Sequence, residues 1–300
     1  MNRWGRAARS LVRRPQLFGR LGLYAGNDDS AGVAWALRRL LSPASRHRLA
    51  ATLLFDATVI MDFEAGGFRW LVPTGDEITA ELLAHGEYSA TAVRSLTRWV
   101  RAHPRTRGSL VIEVGANVGT STLPLTREGW NVLAIEPVPT TFSFLETNVE
   151  RNGLSDQVTC VQAAVAEHDG EVLMQVSRAH GASRVVDHGP GAIPVPARRL
   201  DGLLASCGVP ETDVAFVWCD AEGSEAAVVA SGMALWAAGV PLYAEIDSTT
   251  DAAAVQHVFS HFVVAHDEMP YTAVARPVGE LAEHISRLER QDNVLLLPAG

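Results

Sequence analysis

The sequence contains no lysine, and all 25 of its basic residues are arginine. Without lysine, the chain cannot form a Schiff base, use a lysine general base or hold phosphate with a P-loop lysine. Phosphoryl transfer through a Walker motif is therefore excluded. Cysteine is also scarce, and the three residues are too widely spaced to predict a disulfide framework or a zinc site. This use of cysteine is typical of a protein in the reducing cytoplasm. These residues are Cys160, Cys207 and Cys219.

Long apolar runs and an excess of positive charge are missing as well. No apolar run reaches the roughly 18 residues that a membrane-spanning helix needs. The Arg-rich N-terminus is not followed by the apolar segment of a secretory signal. We therefore expect a cytoplasmic protein without an integral membrane segment. The net charge of −9 and the pI near 5.6 argue against nucleic acid as the main partner.

Residues 110–137 have the pattern of a nucleotide-binding unit. Residues 110–114 form a short β-branched apolar run, which is typical of a central parallel strand buried on both faces. The glycine-rich turn of residues 115–119 then opens a helix near Thr120. The next strand, residues 132–135, ends in Glu136, about 20 residues after the first glycine. At this distance a βαβ unit places a carboxylate on a ribose diol.

The charge at the turn favours one nucleotide over others. A dinucleotide site uses G-x-G-x-x-G, because pyrophosphate must lie against bare backbone at a helix N-terminus. Here the order is E-x-G-x-N-x-G, with Asn117 in the place of a glycine and Glu113 before the turn. A carboxylate repels pyrophosphate but attracts the amino group of a methionine moiety. The pattern therefore favours S-adenosylmethionine over NAD or ATP.

Four blocks carry a family resemblance. In order, VIEVGANVGTSTL, AIEP, VQAAVAEHDGEV and DAEGSE resemble the FkbM family of S-adenosylmethionine-dependent methyltransferases, over residues 77–245. The resemblance implies a Rossmann-like class I methyltransferase fold and S-adenosylmethionine as cofactor. The residues predicted to bind the cofactor are Glu113, Gly115, Ala116, Asn117, Gly119, Thr120, Glu136, Pro137, Ala163, Ala164 and Asp220.

The alternation of strands and helices predicts an α/β fold with a mostly parallel, seven-stranded sheet and helices on both faces. We divide the chain into an Arg-rich N-terminal extension (1–48), a hairpin and helical cap (49–105) and the methyltransferase domain (106–300). A glycine pair, Gly66 and Gly67, marks the hairpin.

Further elements are predicted from periodicity and turn residues. Ser89 should cap a helix that ends near residue 101, residues 158–165 should form one strand, and residues 251–262 and 278–290 should form helices. The polar, glycine-rich loop of residues 177–191 is interpreted as a lid or substrate loop, with a solvated loop as the alternative.

Acidic residues at strand ends supply the candidate chemistry. Methyl transfer needs alignment, and a hydroxyl acceptor also needs a base. Asp220 is the first candidate for positioning the substrate or removing its proton. Glu222 could bind the acceptor or the amino group of the cofactor, while Glu225 is expected to cap its helix. His180 is the alternative base, although a lone loop histidine is usually solvated.

A divalent ion is a further alternative at the same place. Asp220, Glu222, Glu245 and Asp247 could hold such an ion and activate a hydroxyl. No histidine joins them at metal-ligand spacing, so we expect no metal.

The sequence thus predicts O-methylation of a hydroxyl group on a small natural product or sugar. One alternative is a catalytically silent interaction protein. It is motivated by the Arg-rich extension and by Glu113, where many related sequences carry aspartate. A nicotinamide oxidoreductase is disfavoured by the missing glycine and by the charge of Glu113.

Overall fold

The computed structural model describes residues 60–73, 77–177, 182–246, 262–267, 274–277, 280 and 292–298. The N-terminal extension, His180 and Asp247 lie outside the described residues. So do the predicted helices of residues 251–262 and 278–290, except for one residue of each. Among the helices described, none combines the length and hydrophobicity of a membrane-spanning segment.

Within the described residues, the main sheet has eight strands. Five neighbouring strands at one side pair in parallel, and each of the other three pairs antiparallel with its neighbours. In spatial order they are Val274–Pro277 (β13), Phe262–Asp267 (β12), Asp292–Pro298 (β14), Leu242–Ile246 (β11), Val214–Cys219 (β10), Leu110–Val114 (β3), Asn131–Ile135 (β4) and Val158–Val161 (β5). The predicted α/β class is confirmed. The sequence predicted seven strands, and β13, which it did not predict, extends the antiparallel edge.

Helices cover both faces of this sheet because successive strand residues face opposite sides. On β3, Val111 packs into one hydrophobic cluster and Ile112 into the other. The first cluster includes Glu77–His85 (α1), Ala90–Ala102 (α2), Thr122–Arg127 (α3) and Pro139–Arg151 (α4). The second includes Leu200–Cys207 (α5), Glu225–Ser231 (α6) and Met233–Ala237 (α7). Ser89 precedes α2 as predicted, but its side chain makes no capping hydrogen bond.

A small second sheet follows β5 in the chain. Its strands, in spatial order, are Ala164–Val165 (β6), Ile193–Arg198 (β9), Gly170–Gln175 (β7) and Arg184–Val186 (β8). The prediction of one strand over residues 158–165 was wrong. The chain leaves the main sheet after Val161, because β6 pairs with β9 and not with β4. The predicted polar loop contains β8, which pairs with β7.

The predicted hairpin is present as Ile60–Ala65 (β1) and Phe68–Pro73 (β2), joined through two glycines with positive φ. Two asparagines attach it to the rest of the fold, Asn148 in α4 and Asn152, which directly follows this helix. Asn148 accepts a hydrogen bond from the Leu71 N–H (2.7 Å) and donates to the Leu71 carbonyl (3.1 Å). Asn152 makes the same pair of contacts with the backbone of Arg69. The hairpin side chains Phe63 and Trp70 belong to the first hydrophobic cluster, so the hairpin shares the core of the main sheet.

Replacing Asn148 should destabilise the protein more than replacing Asn152. Asn148 is fully buried and also donates to the Val118 carbonyl (2.9 Å), so Asn148→Ala leaves buried backbone groups without partners. We expect Asn148→Ala to lower the free energy of unfolding by about 2–4 kcal/mol. Asn152→Ala, at a more exposed position, should cost about 0.5–1.5 kcal/mol. Urea unfolding of both variants tests this, and equal losses would contradict it.

Candidate active site

The polar groups of the candidate site lie at the carboxyl ends of parallel strands. β4, β3, β10 and β11 are neighbours that run in the same direction, so their carboxyl ends share one edge of the sheet. Glu136 directly follows β4, Gly115 follows β3 and Asp220 follows β10, while Glu245 is the next-to-last residue of β11. Ligands of open α/β sheets bind at this edge.

The turn after β3 is held in an unusual backbone conformation. Gly115 has a φ of 84°, Asn117 a φ of 50° and Gly119 a φ of 98°. The N–H groups of Gly115 and Ala116 both donate to the Ile135 carbonyl, at 3.0 Å each. The side chain of Asn117 accepts a hydrogen bond from the Val118 N–H (2.8 Å), which suits asparagine to a left-handed conformation.

Gly115 also permits the closest backbone approach in the site. A Cβ atom at this position would lie 1.8 Å from the Asp220 carbonyl oxygen, closer than any real contact. The Asp220 N–H in turn donates to the Val114 carbonyl (3.0 Å). The turn after β3 and the end of β10 are therefore in direct backbone contact, and only glycine fits between them.

Glu136 connects β4 to the same turn. One carboxylate oxygen accepts a hydrogen bond from the Asn117 N–H (3.0 Å) and the other from the Val138 N–H (2.9 Å). The side chain is almost fully buried, and burial raises its pKa to about 7 although both N–H groups oppose this shift. The carboxylate is thus oriented by the backbone and still lines the cavity described below.

Glu113 lies in a different place from the one that the charge argument predicted. It is fully buried beneath the turn and does not line the cavity. Its carboxylate accepts hydrogen bonds from the hydroxyl groups of Ser121 and Thr122, the latter at 2.6 Å. Burial raises the pKa of Glu113 to about 7, against the effect of these two donors. Glu113 therefore ties the start of α3 to β3.

Three carboxylates meet on the other side of the turn. The side chains of Asp220, Glu222 and Glu245 offer oxygen atoms that all lie within 4.8 Å of one another. We call these three residues the acidic corner. The pKa of Asp220 is raised to about 7, mainly by burial and to a smaller extent by the charge of Glu225. Glu225 itself is the first residue of α6, where its carboxylate accepts a hydrogen bond from the Gly223 N–H (3.2 Å).

A cavity of about 280 Å³ joins these groups. Its floor is formed by the strand ends, and its outer wall by Ile78, Tyr88, Met174, Ser183 and Val185. These wall residues come from α1 and the loop after it, from β7, and from β8 and the residue before it. The volume is close to the lower end of the range for small-ligand sites, about 300–1,000 Å³.

Most residues predicted to form the site line this cavity. Those that do are Gly115, Asn117, Thr120, Glu136, Pro137, Ala163, Ala164, Asp220 and Glu222. Glu113, Ala116 and Gly119 are not among its lining residues, and the alternative base His180 lies outside the described residues.

Sequence reasoning missed Glu77 and Met174 as lining residues. Alternation along β7 could have indicated Met174, which is buried between more exposed neighbours. Glu77 carried no comparable signal.

The strand order defines the class of protein. With β13 as an addition at one edge and β14 antiparallel beside β11, the sheet has the arrangement of a class I methyltransferase. The family follows from the sequence, because the model of the methyltransferase FkbM domain matches residues 113–271, more than half of the chain. The chain therefore belongs to the FkbM methyltransferase family. No curated protein matches it in sequence.

Solved structures with a similar fold include proteins whose names describe methyltransferases. The match to the METTL16 methyltransferase domain spans 86% of this chain and 80% of the chain of that structure, with 14% identity and a TM-score of 0.45. The match to the human methyltransferase 10 domain containing protein spans 86% of this chain and 96% of the other, with 15% identity and a TM-score of 0.43. The match to P. horikoshii TYW2, solved in complex with MeSAdo, spans 80% of this chain and 71% of the other, with 12% identity and a TM-score of 0.39. At these identities the likeness concerns the fold alone.

The buried carboxyl groups predict how stability depends on pH. An acid whose pKa is raised on folding from 4.5 to about 7 keeps its proton where the unfolded chain has lost it. The folded state then binds more protons than the unfolded state, so the free energy of unfolding falls as pH rises through this window. Glu113→Gln removes one such group, while glutamine keeps the size and shape of the side chain. We therefore expect this variant to show a flatter dependence of Tm on pH between 5 and 8.

The control is Glu150→Gln, at an exposed position of α4, which should keep the wild-type profile. Thermal unfolding followed by circular dichroism at several pH values gives the comparison. A Glu113→Gln profile that is parallel to the wild-type profile would show that Glu113 does not titrate in this range.

Proposed function

We propose that this methyltransferase uses S-adenosylmethionine to methylate a hydroxyl group on a small natural product or sugar. The observation that carries the proposal is the cavity itself. Among the described residues that line it, five bear carboxylates and none is an arginine or histidine. The five are Glu77, Glu136, Asp220, Glu222 and Glu245. A cavity of this charge favours a cationic ligand over pyrophosphate or triphosphate.

The donor groups suit an adenosine at one end of the cavity. Each oxygen of Glu136 accepts one backbone hydrogen bond and can accept a further one from a ribose hydroxyl. Ala163 and Ala164 have small side chains beside it, which leaves room for a flat base against the backbone. Glycine at position 115 leaves bare backbone at the middle of the site. These features suit the adenosine of S-adenosylmethionine, while the acidic lining of the cavity disfavours the pyrophosphate of NAD.

Asp220 is the group best placed to act as the base. It lines the cavity at the end of β10, and burial raises its pKa toward neutral pH, where a carboxylate is a more effective general base. A neutral hydroxyl attacks well only if its proton leaves during the transfer, so a carboxylate beside the acceptor lowers the barrier. The cofactor, when bound, supplies an electrophilic methyl group. The chain itself must align the acceptor, exclude water and accept the proton.

The outer wall supports an acceptor that is partly apolar and carries hydroxyl groups. Tyr88, Met174 and Val185 offer apolar surface, while Ser183 offers a hydroxyl group. This combination suits a natural product or sugar better than a strongly charged molecule.

Isothermal titration with S-adenosylhomocysteine, with NADH as the control ligand, tests the cofactor. Binding of the first and not of the second is expected, and the reverse result would favour an oxidoreductase. A transfer assay with methyl-labelled S-adenosylmethionine and a panel of hydroxylated compounds tests the reaction. Label in an alkali-stable ether indicates O-methylation. Cofactor binding without any labelled product would favour a silent interaction protein.

Glu136→Gln should weaken cofactor binding without unfolding the protein. The amide keeps the size of the carboxylate but loses its charge and one acceptor, so the affinity for S-adenosylhomocysteine at pH 8 should fall by about 1.5–3 kcal/mol. We choose glutamine over alanine because alanine would also release the N–H groups of Asn117 and Val138. Titration calorimetry measures the loss, and unchanged affinity would show that Glu136 does not contact the cofactor.

A further inference from the structure

One face of the small sheet is apolar, and the strand register shows which side chains share it. Ala164 of β6 lies opposite Ala197 of β9, and Val172 of β7 lies opposite Val195 of β9. Directly opposite residues point to the same face of a sheet, and so do alternate residues along a strand. Met174, two residues after Val172, therefore belongs to the same face. We call this face of the small sheet the inner face.

The inner face continues from the alanines proposed to hold the base to the outer wall of the cavity. Ala164 and Met174 belong to one hydrophobic cluster with Val138, which lies two residues after Glu136. Met174 is only 3% exposed, and it lines the cavity together with Ala164. On β8, Val185 lies opposite Met174 and lines the cavity as well. The apolar surface that begins beside Glu136 thus extends across the small sheet to Val185.

An adenine ring has two flat faces that gain from being removed from water. In the proposed function, one of them lies against the backbone at Ala163 and Ala164. The inner face offers apolar side chains at the same end of the cavity. A methionine is well suited to this contact, because its thioether is polarizable and interacts favourably with aromatic rings.

We propose that Met174 and Val185 cover the adenine of the cofactor and thereby determine which bases the site accepts. This inference rests on the proposed function and assigns part of the outer wall to the cofactor. The other residues of that wall, Ile78, Tyr88 and Ser183, are then left for the acceptor. Because Met174 is packed within its cluster, a bulky group on the exocyclic amine of the base would need space that its side chain fills.

The test compares S-adenosylhomocysteine with a derivative that carries a benzyl group on the exocyclic amine of the adenine. We expect wild-type protein to bind the derivative about tenfold more weakly in titration calorimetry, which corresponds to about 1.4 kcal/mol. Met174→Ala removes the thioether, so it should weaken binding of S-adenosylhomocysteine about fivefold and bring the ratio of the two dissociation constants close to one. Val185→Ala removes less apolar surface and should change the ratio in the same direction by about threefold.

Leu173→Ala is the matched control for Val185→Ala. Leu173 is 36% exposed and Val185 is 37% exposed, but Leu173 lies on the opposite face of the small sheet and is not among the described residues that line the cavity. The control should keep the wild-type affinity for both ligands. Circular dichroism confirms that each variant is folded. Val185 lies on the edge strand and outside the buried cluster, so its variant preserves the test even if Met174→Ala unfolds.

Three outcomes would overturn the inference. Equal binding of the two ligands by wild-type protein would show that the site does not select the base. Unchanged affinities in Met174→Ala and Val185→Ala would show that the small sheet does not contact the base. An equal loss for both ligands, with an unchanged ratio, would give these residues a structural role only. If wild-type protein binds neither ligand, the proposed function itself fails, and this result is distinct from the other three.

Discussion

The contact between the turn after β3 and the end of β10 determines the geometry of the whole site. Gly115 lies against the Asp220 carbonyl with no room for a side chain, and its N–H and that of Ala116 bond the end of β4. Three neighbouring strands are therefore connected through one turn. This connection brings Glu136 to one side of Gly115 and the acidic corner to the other, within one cavity.

Burying carboxyl groups around this turn is costly, and the fold offsets the cost with hydrogen bonds. Glu136 and Glu113 each accept two, from backbone N–H groups in the first case and from hydroxyl groups in the second. Burial nevertheless raises the pKa of both groups, so desolvation is the larger effect. A core built only for stability would place apolar residues at these positions. The acids at the strand ends are consistent with a ligand site, where local rules are often broken for function.

The hairpin shows how a segment outside the matched family region becomes part of the same fold. Asn148 in the last turn of α4 and Asn152 just after the helix bond alternate residues of β2, much as a neighbouring strand would. The aromatic residues of the hairpin then pack into the cluster that covers one face of the main sheet. The sequence marks the hairpin through its glycine pair, but nothing in the spacing of the asparagines indicates what they bind.

Features that depend on neighbouring residues could be predicted from the sequence. Strand β10, the turn of residues 115–119 and the position of Glu136 could be predicted, because hydrophobic periodicity and glycine placement act locally. The burial of Glu113 away from the cavity, with hydrogen bonds from Ser121 and Thr122, could not be predicted in this way, since it depends on how α3 packs against β3. The same is true of the break after Val161. Which strands become neighbours is set by long-range pairing, and no local pattern encodes it.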